Sequence, residues 1–214
     1  MVGSKSATLS SSAPTTVNVT VNRLIARVSL NSLKADFAGM TYAGKPITNV
    51  SVYLAYLPDS KTFANTDPAG QNIISGATYS ETTAITGMIA DAVSGSITSS
   101  VNTTAHHFYT YERSAVSNLT GQDCVRLVVK GDLDTDNNGV GETYYWSIPV
   151  NTEKGGYKAA NGHYGVKANY TYAYDVTITR AGAGNDYQDL EYATMTAAVT
   201  IADWTNITTE TIQF

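Results

Sequence analysis

Residues 196–214 read TAAVTIADWTNITTETIQF, and the partner this stretch takes decides the fold. Val199 and Ile201, with Asp203 on the next beat, share one face of a first strand. After Asp203-Trp204 a second alternating run follows, with Glu210, Ile212 and Phe214 on one face and Thr209, Thr211 and Gln213 on the other. Chain ends are as a rule polar and fray, because nothing ties them down. A β-patterned apolar end needs a sheet to join, its own or a neighbour's.

The rest of the chain has the same character. Val17, Val19 and Val21 alternate strictly with polar residues, the mark of a half-buried strand. At Asn22-Arg23 the phase slips by one residue, and Leu24, Ala26, Val28 and Leu30 carry the beat onward. Such a slip turns side chains to the opposite face, as a bulge does or a strand that leaves one sheet for another. Residues 1–21 are therefore expected to be the remnant of a preceding domain or a linker strand, and residues 22–214 a domain of their own. Ile47, Val50, Val52, Leu54 and Leu57 mark another strand, and residues 58–80 are loop-rich. Over Glu81–Val93, Ile85, Met88, Ile89, Ala92 and Val93 fall at helical spacing, which predicts one short amphipathic helix. Residues 108–111, 125–130, 144–150, 170–179 and 193–201 complete the strands, with Gly-, Asn- and Asp-rich turns between them. There is no βα alternation and no internal repeat. The expected fold class is all-β, an antiparallel sandwich with one short helix.

Composition narrows the function. Hydrophobic residues make up 43% of the 214 and charged residues only 14%, with Thr, Ser, Tyr, Val, Gly and Asn prominent, as on sheet surfaces. A net charge of −5 and no Lys/Arg cluster argue against nucleic acid and anionic membranes as partners. The single cysteine, Cys124, has no internal partner and lies beside the apolar Val125, Leu127 and Val129, so it reads as a strand thiol. No apolar run approaches the roughly 20 residues of a membrane helix. No hydrophobic segment follows Met1-Val-Gly-Ser-Lys as a secretory signal would, so the chain is expected to be a mature or excised piece.

The sharpest local motif is Asp132, Asp134, Asp136, Asn138 and Glu142. From Asp134 it sets oxygen ligands at positions 1, 3 and 5 and Gly139 at position 6, as calcium loops do. Tyr145 holds position 12 in place of the bidentate Glu, and the same composition suits the tip of a β-hairpin. A structural Ca2+ and a plain hairpin both fit; no other cofactor is expected. His106 and His107 are adjacent, so on a strand they face opposite ways and cannot chelate one metal together. With only His163 besides, zinc is not expected. No serine has a readable His/Asp pairing and no carboxylate pair stands out, so the chain reads as no enzyme. Six Asn-x-Ser/Thr sequons, at Asn18, Asn49, Asn102, Asn118, Asn169 and Asn206, are unremarkable in so Thr-rich a chain.

Six pieces in order resemble the fimbrillin family, the pilus subunits of Bacteroidales-type bacteria. They are residues 21–30 (VNRLIARVSL), 47–54 (ITNVSVYL) and 108–112 (FYTYE), then 126–131 (RLVVKG) with 144–151 (YYWSIPVN), 169–178 (NYTYAYDVTI), and the closing Ala202-Asp-Trp204. Arg113 stands where the family has Asn, and Ala168 where it has Arg. The resemblance covers the family's C-terminal domain. It implies a transthyretin-like β-sandwich, a lipoprotein precursor, and a place at the cell surface in a fimbrium anchored at the outer membrane. It also implies polymerisation by strand exchange: a protease removes an N-terminal strand, and a neighbour's C-terminal strand fills the groove. Partners would be other fimbrial subunits, with a host or bacterial surface ligand for adhesion. A tip or accessory adhesin, binding a glycan or host protein with or without calcium, is the alternative.

Both readings meet in the tail. Trp204, Ile207, Ile212 and Phe214 are the expected assembly residues. A strand added to an exposed edge regains main-chain hydrogen bonds while alternate side chains fill pockets. Full burial of Ile207, Ile212 and Phe214, at about 1.5–3 kcal/mol each, gives about 5–9 kcal/mol gross before ordering costs. Arg23 and Arg27 are basic enough for an Arg-specific protease, but they fall in a strand and are not expected to be the maturation site.

Overall fold

The computed structural model describes residues 4–6, 8, 16–62, 64, 66–78, 89–115, 122–153, 162–190, 195–204 and 209–213. Among these residues fourteen strands follow in chain order. They are β1 (Thr16–Thr20), β2 (Ile25–Ala35), β3 (Thr48–Ala55), β4 (Leu57–Pro58), β5 (Ile73–Ile74), β6 (Ala90–Ala92) and β7 (His106–Tyr111). Then come β8 (Arg113–Ser114), β9 (Arg126–Leu133), β10 (Glu142–Pro149), β11 (Gly165–Val166), β12 (Tyr170–Ile178), β13 (Met195–Asp203) and β14 (Thr209–Gln213). A 3-10 turn spans Gly76–Thr78.

Two four-stranded sheets form the sandwich, in the orders β13-β12-β2-β7 and β10-β9-β3-β6. Period-two patterning builds each layer. On β12, Tyr172, Tyr174, Val176 and Ile178 point inward, all 2% exposed or less. They meet Val52, Leu54, Leu127, Val129, Trp146 and Ile148 of the other sheet in one hydrophobic core. Burying each such side chain contributes about 1.5–3 kcal/mol, which makes this core the main stabilising term.

The sheets are antiparallel except where β2 and β12 run parallel, from Arg27 opposite Thr171 to Ala35 opposite Ile178. All four strands of the other sheet lie between β2 and β12 in sequence, a crossover that alternation within a strand cannot reveal. β2 carries one extra residue, Asn31, opposite Tyr174–Asp175, and this bulge shifts the register so that both Leu30 and Leu33 of β2 face the core.

The helix expected over Glu81–Val93 is not what the described part forms. Ala90–Ala92 is an edge strand, paired antiparallel with Ser51–Tyr53 of β3. Ile89 and Val93 are buried, and four residues is close to one helical turn but also two full strand repeats, so either period places them together. Residues 81–88 lie outside the described residues.

The second sheet is covered on its outer face too. Tyr53, Ala55 and Val128 form a separate cluster there, packed by Tyr56, Ala90 and Tyr145. The segment 181–189 lies across it as a strap. Tyr53 and Tyr56 both donate to the Asp186 carboxylate, at 3.0 and 2.6 Å, and Ser147 donates to the Asp186 carbonyl at 2.7 Å. Burial and the facing Asp186 carboxylate push both phenols far above the usual tyrosine range. Arg126, fully buried, reaches Ser147 at 3.2 Å and forms an ion pair with Asp189. At Gly182 the strap touches β10 so closely that a Cβ would sit 2.4 Å from the Tyr145 carbonyl oxygen. Only glycine allows the two bonds of 2.9 Å between Tyr145 and Ala183 that cover this edge.

Candidate assembly site

The phase slip at Asn22-Arg23 is where β1 ends and β2 begins, and the two strands join different sheets. β1 pairs with β14 alone among the described residues, from Thr16 opposite Gln213 to Thr20 opposite Thr209. This two-stranded ribbon belongs to neither layer of the sandwich. Val17 is buried, and among the described residues it is in neither hydrophobic cluster. Isolated two-stranded pairs are marginally stable in water.

Both ribbon strands leave the body at one end of the first sheet, and a clamp holds that point. Trp204 follows β13 directly, and its N–H donates to the Asn169 carbonyl at 2.7 Å. Asn169 sits at φ 69°, a left-handed conformation that Asn tolerates, and its own N–H donates to the Ile25 carbonyl at 3.0 Å. Arg23, in the link between β1 and β2, donates to the Trp204 carbonyl at 2.9 Å and to Asn169 Oδ1 at 3.4 Å. Its guanidinium carbon lies 4.4 Å from the centre of the indole, and that of Arg27 lies 5.5 Å away. Tyr109 of β7 stacks on the same indole at 6.0 Å and 23°. Each cation–π contact contributes about 0.5–2 kcal/mol, depending on solvation.

Of the expected assembly residues, Trp204 is thus fixed to its own sandwich, at the root of the tail. Ile212 lies opposite Val17 in the ribbon register. Ile207 and Phe214 lie outside the described residues. Arg23 and Arg27, which the sequence suggests only as basic sites for a protease, hold the indole in place. The signal was available in the alternation of β2, which puts Arg27 on the outward beat, level with Tyr109.

The Asp/Asn-rich hairpin lies at the far end of the β9–β10 pair, and its carboxylates face protein donors. Asp132 accepts from Asn49 Nδ2 at 2.8 Å and Thr143 Oγ1 at 2.7 Å, which lowers its pKa below the ordinary carboxylate value. Asp134 meets the Lys45 ammonium at 2.7 Å, and that contact lowers its pKa likewise. Asp136 accepts from the Asn138 backbone N–H at 3.2 Å and side chain at 2.9 Å, and Glu142 accepts from Tyr144 at 2.8 Å. Among the described residues no three His, Cys, Asp or Glu side chains gather as metal ligands would. His106 turns inward to Asp91 at 2.7 Å and His107 outward to Ser29 at 2.9 Å, on opposite faces. Cys124 is fully buried, and burial raises its pKa, which leaves it a packing residue.

No protein-family model and no curated protein sequence matches the chain. Solved structures do. A proposed cell adhesion protein of Bacteroides eggerthii is 19% identical with a TM-score of 0.56, over 87% of this chain and 57% of that one. Another, of Parabacteroides distasonis, is 19% identical with a TM-score of 0.54, over 86% and 52%. The fimbrilin FimA of Porphyromonas gingivalis is 16% identical with a TM-score of 0.51, over 87% and 59%. The chain therefore has the β-sandwich fold of fimbrilin and of these Bacteroidales proteins, in line with the resemblance seen in its sequence. It spans between half and three fifths of the length of each.

Proposed function

We propose that this sandwich is part of a structural subunit of a cell-surface fimbrium. It acts in adhesion, catalyses nothing, and assembles by strand exchange. The observation that carries the reading is the pairing of β14 with β1 alone among the described residues, outside both sheets of the sandwich. A five-residue strand held by one equally short partner can trade it for an equivalent strand of a neighbour without disturbing the core. The shared fold with a fimbrilin supports the same reading.

In this account the subunit is made as a lipoprotein precursor, matured by a protease and built into a fibre anchored at the outer membrane. Its partners are other fimbrial subunits. The test is deletion of residues 205–214 in the matured protein. Loss of fibres with the sandwich still folded, by circular dichroism, is the expected result. Fibres of normal length without that segment would contradict it.

A further inference from the structure

The two sheets have four edges, and three are short or covered. β6 has three residues, β7 has six and leads into the β8–β11 pair, and β10 is bridged by Ala183. β13 differs. It runs nine residues against β12 with no shift of register, and contains no Lys, Arg, Pro or Gly. Natural edges of this length are usually blunted by such residues or by a bulge.

Hydrogen-bond direction sharpens the point. The Trp204 N–H donates to Asn169, so ladder alternation turns the N–H and C=O of Asp203, Ile201, Val199, Ala197 and Met195 away from β12. Among the described residues nothing pairs with that side. Met195, Ala197, Val199 and Ile201 pack on the core yet stay partly exposed, unlike their fully buried neighbours on β12. The alternate row, Thr196, Ala198, Thr200 and Ala202, is exposed and small, so no bulky side chain fends off an approaching strand.

We propose that β13 pairs antiparallel with β13 of a second copy of this chain, about a two-fold axis at Val199, to make one continuous sheet. The strand is self-complementary in that register. Met195 faces Asp203, Thr196 faces Ala202, Ala197 faces Ile201 and Ala198 faces Thr200. The only charge, Asp203, meets a methionine and never its own copy, and its carboxylate is engaged by the Tyr170 hydroxyl. The half-exposed apolar rows of the two copies extend one another. Each copy carries a net charge of −5, so the pairing strengthens with salt as long-range repulsion is screened. One strand pair is a small interface, which places the association in the weak, concentration-dependent class. The inference rests on β13 alone and stands or falls separately from exchange of β14.

The test mixes two variants of the chain, Ala198→Cys and Thr200→Cys, in a glutathione redox buffer. These positions face each other across the two-fold axis, so a disulfide-linked dimer should form in the mixture and far more slowly in either variant alone. The buried Cys124 does not compete. In sedimentation, Thr200→Lys should weaken self-association of the chain by about tenfold or more. A mixture that cross-links no faster than its components would overturn the proposal. So would self-association unchanged by Thr200→Lys.

Discussion

Arg23 lies 4.4 Å from the centre of the Trp204 indole and hydrogen-bonds the Trp204 carbonyl at 2.9 Å. One side chain thus joins the two points where the terminal strands leave the sandwich. Arg23→Ala should destabilise the fold by about 1–3 kcal/mol, as the charged hydrogen bond and the cation–π contact go together. Arg23→Lys should lose less, keeping the cation while giving up the planar fork. Urea unfolding followed by Trp fluorescence measures both. Equal stability of Arg23→Ala and the parent would show that the clamp is decorative.

The strap over the outer sheet hangs on a buried ion pair. Asp189→Ala leaves the Arg126 charge under-compensated at a position with no solvent access, and should cost about 3 kcal/mol. The double variant Arg126→Met/Asp189→Ala should recover much of that loss, because no buried charge remains. A double-mutant cycle with no coupling would contradict this reading of the strap.

His107 gives the stability a pH dependence of known sign. Burial first, and then the Arg27 charge, depress its pKa below the ordinary 6.5. The unfolded chain therefore binds a proton more readily than the folded one. The stability this group contributes is complete above about pH 7 and falls as pH drops through the folded pKa. Arg27→Gln should raise the His107 pKa, seen by NMR titration, and flatten the stability slope between about pH 7 and 5. An unchanged titration would remove Arg27 as a cause.

The hairpin carboxylates behave in the opposite chemical sense but with the same direction in pH. Asp132 and Asp134 titrate below their ordinary value near 3.8, so their contribution is present above it and lost as pH falls further. Lys45→Met should bring the Asp134 pKa back toward the ordinary value. Millimolar Ca2+ should leave the Tm unmoved, since the carboxylates already face protein donors. A clear rise in Tm with Ca2+, absent in Asp134→Asn, would instead establish a calcium loop.

Much of the sandwich was legible because alternation is local. β12 and β13 announce themselves through Tyr172, Tyr174, Val199 and Ile201, and the hairpin through the Gly- and Asn-rich tip between β9 and β10. What escaped the sequence was set by contacts between distant residues. Nothing in Ile25–Ala35 says that it runs parallel to Tyr170–Ile178, and nothing in the polar segment 181–189 says that Asp186 and Asp189 will cover a sheet. The spacing of Ile89 and Val93 satisfies two periods, and β3 chose between them. The alternation of residues 209–213 was visible, but their partner was not. Val17 and Val19 carry equally plain strand pattern, and only the fold shows that residues 16–20 and 209–213 meet.

The most direct test of strand exchange uses that meeting. Val17 and Ile212 lie opposite one another in the ribbon, so Val17→Cys/Ile212→Cys offers a disulfide that would lock β14 at home. The account predicts that the oxidised, matured subunit forms no fibres and that reduction restores them. Oxidised subunits that polymerise as well as reduced ones would contradict it.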